Sequence, residues 1–435
     1  MSIPPEDTLP EYEATTSPTL GNPFIHQWFD SETDVFRLLR LEPGAAGDKI
    51  ACTLQHFELA NPPSYRALSY TWGGSRHSKT ILVNRASFQV SENLYDFLEL
   101  VRSRPTLSEP EFFWIDQICI DLMNGVERSR QVERMAAIYG GADEVVMWLG
   151  NIRSEYCTFV FSRMASSRTV QYPPKLPGAV QQTESEDGPT SSKNRMVKML
   201  RNPEGIRKVG EQESYTAYAW SQFMKIKHWK RLWPIQEFML AKKVTMCMGK
   251  ASLDWDEINL SYVDMESKHY KLGESAAWGQ EGFSRFLRLR KLREFGSWQE
   301  AIDAVTKPES GCLTLHDRIY ALLGVVPEKV RIAADYTITR QELFDRVCRA
   351  ELDAMAVAND EPNVETIRKI ELFMAQLWSH LDMASDKTSD AELPKIIDSQ
   401  VLRLWPVLRN EANDKTLRKL RSRSLKLGKF SLPAF

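Results

Sequence analysis

This chain reads as an α/β protein: a mainly parallel sheet flanked by helices, followed by a mainly helical C-terminal region. Three observations predict that class. The run Phe112 to Ile115 is continuously apolar and rich in aromatics, as a strand covered on both faces requires. Behind it, Val132, Met135, Ala136 and Tyr139 fall at i, i+3, i+4 and i+7, the stripe of an amphipathic helix, and Val145 to Leu149 resumes as a second apolar strand. Two buried strands joined by a helix imply a right-handed crossover in a parallel sheet. Polar residues crowd the carboxyl end of the first strand, at Asp116, Gln117, Cys119 and Asp121, where an open α/β sheet places its ligand site.

The remaining elements follow in order. Residues 1–24, acidic and proline-rich, read as a disordered tail. Val35 to Leu41 and Ile50 to Leu59 are two strands separated by the turn-forming PGAAGD. Tyr65 to Tyr70 is a strand that ends in a glycine-containing loop, and Thr80–Val83 with Ser87–Val90 form a hairpin about Asn84-Arg85. Leu94, Phe97, Leu98 and Val101 give a helix. Asn124, followed three residues later by Glu127, is a capping-box-like start for the crossover helix, and Gly140-Gly141 closes it. Residues 165–195 turn to Ser, Gln, Pro, Gly and acidic residues without periodicity, an insertion that reads as disordered. Pro234 suits the first turn of a helix whose buried stripe is Ile235, Phe238 and Met239, and Val244 to Met248 is a strand. Residues 251–435 read as mainly helical and end in a basic tail containing Lys415, Arg418, Lys419, Arg421 and Arg423.

With 435 residues, 43% apolar and 26% charged, the chain can bury a large core in two or three structural units. A net charge of −2 makes no electrostatic case for nucleic acid over the whole chain. The basic tail reads first as a solvated helix face, with a nucleic-acid, nuclear-import or acidic-lipid patch as the alternative. Six scattered cysteines without a CxxC pair build neither a metal site nor a secreted disulfide framework. The N-terminus lacks the basic and apolar regions of a signal peptide, and no apolar run approaches the roughly 18 residues that span a bilayer. A soluble cytoplasmic protein with no membrane span is the expectation.

Three ordered blocks resemble the fungal heterokaryon-incompatibility (HET) domain family: YRALSYTWGG (Tyr65–Gly74), FFWIDQICID with ERSRQVERMAAIYGGADEVVMWLG, and HWKRLWPIQEFMLAKKVTMCMG (His228–Gly249). A fourth, CLTLHDRIYALLGVV (Cys312–Val326), looks like the segment that commonly follows the domain. The resemblance places the domain at about 35–250 and implies a cytoplasmic protein of fungal allorecognition, in which the meeting of incompatible partners triggers cell death. It also implies a flavodoxin-like fold similar to the Toll/interleukin-1 receptor (TIR) domain. Three departures stand out. Asp121-Leu122 replaces a common Asn-Gln, His316-Asp317 a common Arg-Asp, and Pro234 a small or β-branched residue.

Many TIR domains cleave the nicotinamide–ribose bond of NAD. That reaction creates an oxocarbenium-like cation, which a fixed carboxylate stabilises. By its place after a Trp, on the helix behind the third of these strands, Glu237 matches the TIR catalytic glutamate. The first turn of a helix favours its ionised form. Yet at 100° per residue it lies about 200° from Ile235, roughly opposite the apolar stripe, so a solvated helix glutamate is the plain alternative. Ser69, Tyr70, Trp72 and Gly73 form a loop where backbone amides can approach a phosphate, and with Asp116, Arg231 and Trp233 they are the candidate NAD pocket; a tight turn with Trp72 in the core is the alternative. Asp116 ends a buried strand and must find donors, Arg128 or Arg231 among them, or face a cavity. Cys119, with no His in a recognisable triad pattern, reads as a small core residue. No cofactor is held permanently, NAD being the expected substrate. Expected partners are further copies of the chain and other incompatibility or NLR-type signalling proteins. A non-enzymatic self-associating scaffold and a decayed paralogue are the alternatives to an enzyme.

Overall fold

The computed structural model describes residues 22–27, 34–45, 47–73, 78–103, 112–151, 160–161, 219–258, 274–305, 314–358 and 364–381. The expectation of disorder over 1–24 is corrected at residues 22–24, where the Phe24 N–H bonds the Ser87 carbonyl at 2.8 Å and Pro23 bridges to Ser87. Residues 1–21 of that tail, the whole insertion at 165–195 and the basic tail lie outside the described residues. Those described gather into two compact units, one running to Arg293 and carrying the sheet, the other beginning at Glu294.

The sheet unit contains strands β1 (Val35–Leu41), β2 (Ala51–Glu58), β3 (Tyr65–Tyr70), β4 (Ser78–Val83), β5 (Ala86–Ser91), β6 (Phe112–Trp114), β7 (Glu144–Trp148), β8 (Val244–Met248) and β9 (Ala251–Asp254). Its helices are α1 (Glu92–Arg102), α2 (Asp116–Cys119), α3 (Gly125–Gly141), α4 (Pro234–Leu240) and α5 (Glu274–Leu289). The strands form one nine-stranded sheet in the order β5-β4-β2-β1-β6-β3-β7-β8-β9.

The expectation of a mainly parallel sheet is corrected: the sheet is mixed. The pairs β2–β4, β3–β6, β3–β7 and β7–β8 are parallel, while β1–β2, β1–β6, β4–β5 and β8–β9 are antiparallel. Two-residue connections force the antiparallel pairing of β4–β5 and β8–β9, because strands joined by a tight turn can pair only antiparallel. Asn84 and Arg85 turn the β4–β5 hairpin with φ of 49° and 68°, the left-handed pair that matches strand twist. Gly249 with φ 54° begins the two-residue link to β9, a strand lying in the region expected to be helical. The parallel core β6-β3-β7-β8 survives as expected from the crossover.

At the start of α3, Asn124 caps as predicted, its Oδ1 accepting the N–H groups of Val126 and Glu127 at 3.1 and 3.2 Å. Glu127 does not close the reciprocal box. Instead its carboxylate takes the Asp121 N–H at 2.7 Å and a bidentate pair from Arg37 of β1. Arg37 and Glu127 are 1% and 6% exposed, and Arg37 donates further to the carbonyls of Cys119 (3.0 Å) and Gln27 (2.8 Å). One buried guanidinium thus ties β1, the α2 turn, the head of α3 and the 22–27 segment together.

Helix α5 approaches the 3₁₀ turn Lys227–Lys230 so closely that only glycine fits at the crossing. A Cβ added at Gly282 would lie 2.2 Å from the Trp229 carbonyl oxygen, a backbone atom that cannot swing aside. Gly282→Ala is therefore expected to destabilise this unit by about 3 kcal/mol, the upper range for overpacking, read as a fall in the denaturant midpoint.

Beyond the sheet unit the described residues are helical, in α6 (Trp298–Val305), α7 (Asp317–Tyr320), α8 (Arg340–Ala358) and α9 (Val364–His380). His316 and Asp317 are structural there. His316 Nε2 bonds the Ile338 carbonyl at 2.8 Å, and the buried Asp317 carboxylate accepts the Tyr336 hydroxyl at 2.9 Å.

Candidate functional site

The parallel strands β6, β3 and β7 present their carboxyl ends side by side. From β3 the chain moves toward the β6 side of the sheet, whereas after β7 it continues to β8 on the other side. Adjacent strands whose connections depart in opposite directions open a crevice at their carboxyl ends, and Ser69 and Tyr70 end β3 there.

Each of these ends supplies polar groups. Asp116 follows β6, half-buried; its Oδ2 accepts the Trp72 indole N–H at 2.8 Å and its Oδ1 the Gln117 N–H at 2.7 Å. Arg231 also favours the carboxylate, but burial outweighs these and pushes the group upward. The donors are thus an indole and an amide, and Trp72 is a half-buried, bonded member of the site rather than a core ring. Trp72→Phe should cost about 1–3 kcal/mol by stripping Asp116 of that donor, seen as a lowered unfolding midpoint. Tyr70, 2% exposed, donates its hydroxyl to Gln117 Oε1 at 3.2 Å, and its carbonyl receives the Arg231 guanidinium.

Helix α4 packs against α3 and β3 and is buried from Pro234 through Met239. The reading of Glu237 as solvated opposite an apolar stripe is overturned: the residue is 5% exposed. A helix enclosed on all sides has no solvent face for periodicity to point out. The expected ionised state is corrected too. Burial pushes the Glu237 carboxyl up to about 8, against the pull of the Ser69 hydroxyl, Arg231 and Tyr139, and Asp116 reinforces the rise. Its Oε2 is buried with no hydrogen-bond partner among the described residues.

Two members of this cluster escaped sequence reasoning. Tyr139, wholly buried, donates its hydroxyl to the Leu68 carbonyl at 3.1 Å; it was legible only as a core position of α3. His228, 0% exposed, sets Nε2 3.4 Å from Ser69 Oγ. Burial and then Arg231 push it down to about 3, so its ring is neutral. A histidine beside two tryptophan-bearing turns carries no periodic signal that separates it from core.

The structure therefore brings Ser69, Tyr70, Trp72, Asp116, Arg231 and Glu237 into one neighbourhood. Gly73 lies apart: it is exposed, with φ 80° and nothing within 4 Å of an added Cβ, so the turn's left-handed backbone and no close approach calls for glycine. Trp233 is half-buried and contributes its carbonyl, which accepts the Glu237 N–H at 3.4 Å. Cys119 is 1% exposed with its thiol pushed up to about 12 by burial, a core residue. Among the described residues no group of His, Cys, Asp and Glu could hold a metal ion, and no helix is long and apolar enough to cross a membrane.

Residues 65–237 match the family model described as heterokaryon incompatibility protein (HET), a segment that starts with β3 and ends on Glu237. The chain is also similar to "Heterokaryon incompatibility protein 6, OR allele" of Neurospora crassa, 30% identical over 360 residues that make up 72% of this chain and 51% of the relative. It spans about half the length of that curated relative. No solved structure matches the chain.

Proposed function

Because residues 65–237 belong to the heterokaryon incompatibility (HET) family, we propose that this protein serves fungal nonself recognition as a cell-death effector and does so by cleaving the nicotinamide–ribose bond of NAD. The observation that carries the reading is Glu237: a carboxyl 5% exposed, with one oxygen unpartnered, beside the carboxyl end of β3. A TIR-like fold is part of the proposal and leans on the parallel core β6-β3-β7-β8.

The chemistry follows from the environment. In the free protein at neutral pH the Glu237 carboxyl is mainly protonated, since its midpoint is about 8. A ligand carrying the nicotinamide cation favours the carboxylate, so binding releases a proton and creates the anion where the ribose cation will form. Arg231 and the amides after β3 supply the positive side of the site, suited to the pyrophosphate.

Total NAD in cells induced to express the protein tests this. Wild type should deplete NAD early and kill; Glu237→Gln should do neither. Death with NAD unchanged would sink the enzymatic reading and favour the self-associating scaffold. Met123 and Val126, flanking the Asn124 cap at 86% and 63% exposed, are the feature that favours that second reading.

A further inference from the structure

We propose that Arg290 and Arg293, just beyond the end of α5, are positioning residues for Glu237: they grip the last turn of α4 by its backbone carbonyls and so fix where the carboxyl stands beside the end of β3. Their role deepens the reading of Glu237 as the acting carboxyl and rests on it, but the grip exists whether or not NAD is the substrate.

Helix α4 has little with which to hold itself. It is seven residues long and starts at Pro234 without a side-chain cap, and a helix that short is marginal on its own. Its last carbonyls point out of the helix end and need donors from elsewhere. The two arginines supply them. Arg290 Nη1 donates to the carbonyls of Phe238 at 3.1 Å and Ala241 at 3.0 Å, and its Nη2 to that of Lys242 at 3.4 Å. Arg293 Nη1 donates to the carbonyls of Met239 at 3.3 Å and Ala241 at 2.9 Å. The Arg290 guanidinium also lies over the Phe238 ring, 5.3 Å from its centroid. Phe238 and Met239 are the two residues after Glu237, so the gripped carbonyls belong to the turn that carries the carboxyl.

The grip has a firm base. The Arg290 N–H bonds the Phe286 carbonyl at 3.1 Å, which ties the clamp to α5. Upstream, the same helix meets the segment that leads into α4: Arg285, 8% exposed, donates to the Trp229 carbonyl at 3.1 Å, beside the close approach of Gly282. One helix therefore holds the stretch carrying Arg231 and Glu237 at both of its ends. All of this lies within the sheet unit, which runs to Arg293.

A grip and a charge predict opposite effects on the carboxyl. Burial is the main cause that raises its midpoint to about 8, with Ser69, Arg231 and Tyr139 pulling down and Asp116 pushing up. If α4 loosens toward water, that burial is relieved and the midpoint falls. If the two arginines acted only as cations, removing them would favour the neutral acid and the midpoint would rise.

The test uses the full chain and follows the infrared carbonyl band of the protonated Glu237, assigned by its disappearance in Glu237→Gln, as pH is raised. The double variant Arg290→Met, Arg293→Met should lower the midpoint by about one pH unit, tenfold in proton affinity. Arg290→Lys with Arg293→Lys keeps both charges but loses the planar forks that span several carbonyls, and should lower it by less. Arg102→Met is the control. It removes an arginine–carbonyl bond of the same kind, to Asp48 at 2.9 Å from the last residue of α1, and should leave the midpoint in place. An unmoved or raised midpoint in the folded double Met variant, or an equal fall in Arg102→Met, overturns the proposal. Should the double variant fail to fold, each single Met variant is read the same way, and no fall in either overturns it. With NAD as substrate, the double variant should lower kcat with KM little changed, because Arg231 and the loop after β3 remain. The band reports protonation regardless of turnover, so failure of the NAD reading leaves the midpoint test standing.

Discussion

Wild type and Glu237→Gln are expected to diverge steadily in stability as pH rises from 4.5 to 8. The ordinary carboxyl value is 4.5, and in the folded protein burial pushes Glu237 up to about 8. Below the lower value both folded and unfolded chains hold the proton, and the carboxyl carries no penalty. Between the two values the unfolded chain releases the proton and the folded one keeps it, so unfolding gains with every increment of pH. Above about 8 the folded state is ionised too and the penalty stays constant. Wild type should therefore lose on the order of 4 kcal/mol relative to Glu237→Gln across this window, with the amide variant the more stable at alkaline pH. Denaturant midpoints of the pair at pH 5, 6, 7 and 8 measure the difference, and comparing the two proteins cancels every other titrating group. Parallel profiles would show that Glu237 ionises as freely as an exposed residue. Such a cost, kept at a position where glutamine would fit, is what a functional carboxyl looks like.

The second large effect belongs to Arg37 and Glu127. Replacing Arg37 with Met leaves the Glu127 carboxylate, 6% exposed, with the Asp121 N–H but without its guanidinium. Truncating one partner of a buried pair typically costs 3–5 kcal/mol, and the same order, about 4 kcal/mol, is expected here. Pairing that change with Glu127→Leu should recover much of the loss, because the uncompensated charge is gone even though the ion pair is too. Full recovery will not follow, since Arg37 also satisfies the Cys119 and Gln27 carbonyls. Calorimetric midpoints of the single and double variants would decide. A single variant within 1 kcal/mol of wild type, the range of ordinary surface changes, would refute the assignment.

Local structure was largely legible in the sequence. The strands at Val35–Leu41 and Tyr65–Tyr70, the Asn84-Arg85 hairpin and the Asn124 cap of α3 all lie where period and turn chemistry place them. Pairing was not legible. Nothing in the β1 segment announces that it inserts beside β6, some seventy residues further along, because register is decided by tertiary packing. The same limit explains the site. Asp116 and Ser69 could be placed at strand ends from local pattern, but enclosure of α4 on every side is a property of the layers around it. So the 100°-per-residue reading that offered Glu237 as a solvated alternative failed at the residue where burial matters most. Arg37 failed to stand out for a like reason: a lone arginine in a strand is ordinary until its partner, ninety residues away, is known.

The order β5-β4-β2-β1-β6 has a consequence for anyone exchanging this domain between relatives. The recognisable segment begins at residue 65, inside the sheet and after the two strands that bridge β4 to β6. A chimera joined there would carry the β4–β5 hairpin but leave two empty strand widths, roughly 10 Å, between it and its only route back to β6. Ancestry and mechanical integrity thus draw different borders on this chain. A graft meant to stand alone has to start upstream of Val35 and run past Asp254, taking along the outer staves that close the wall.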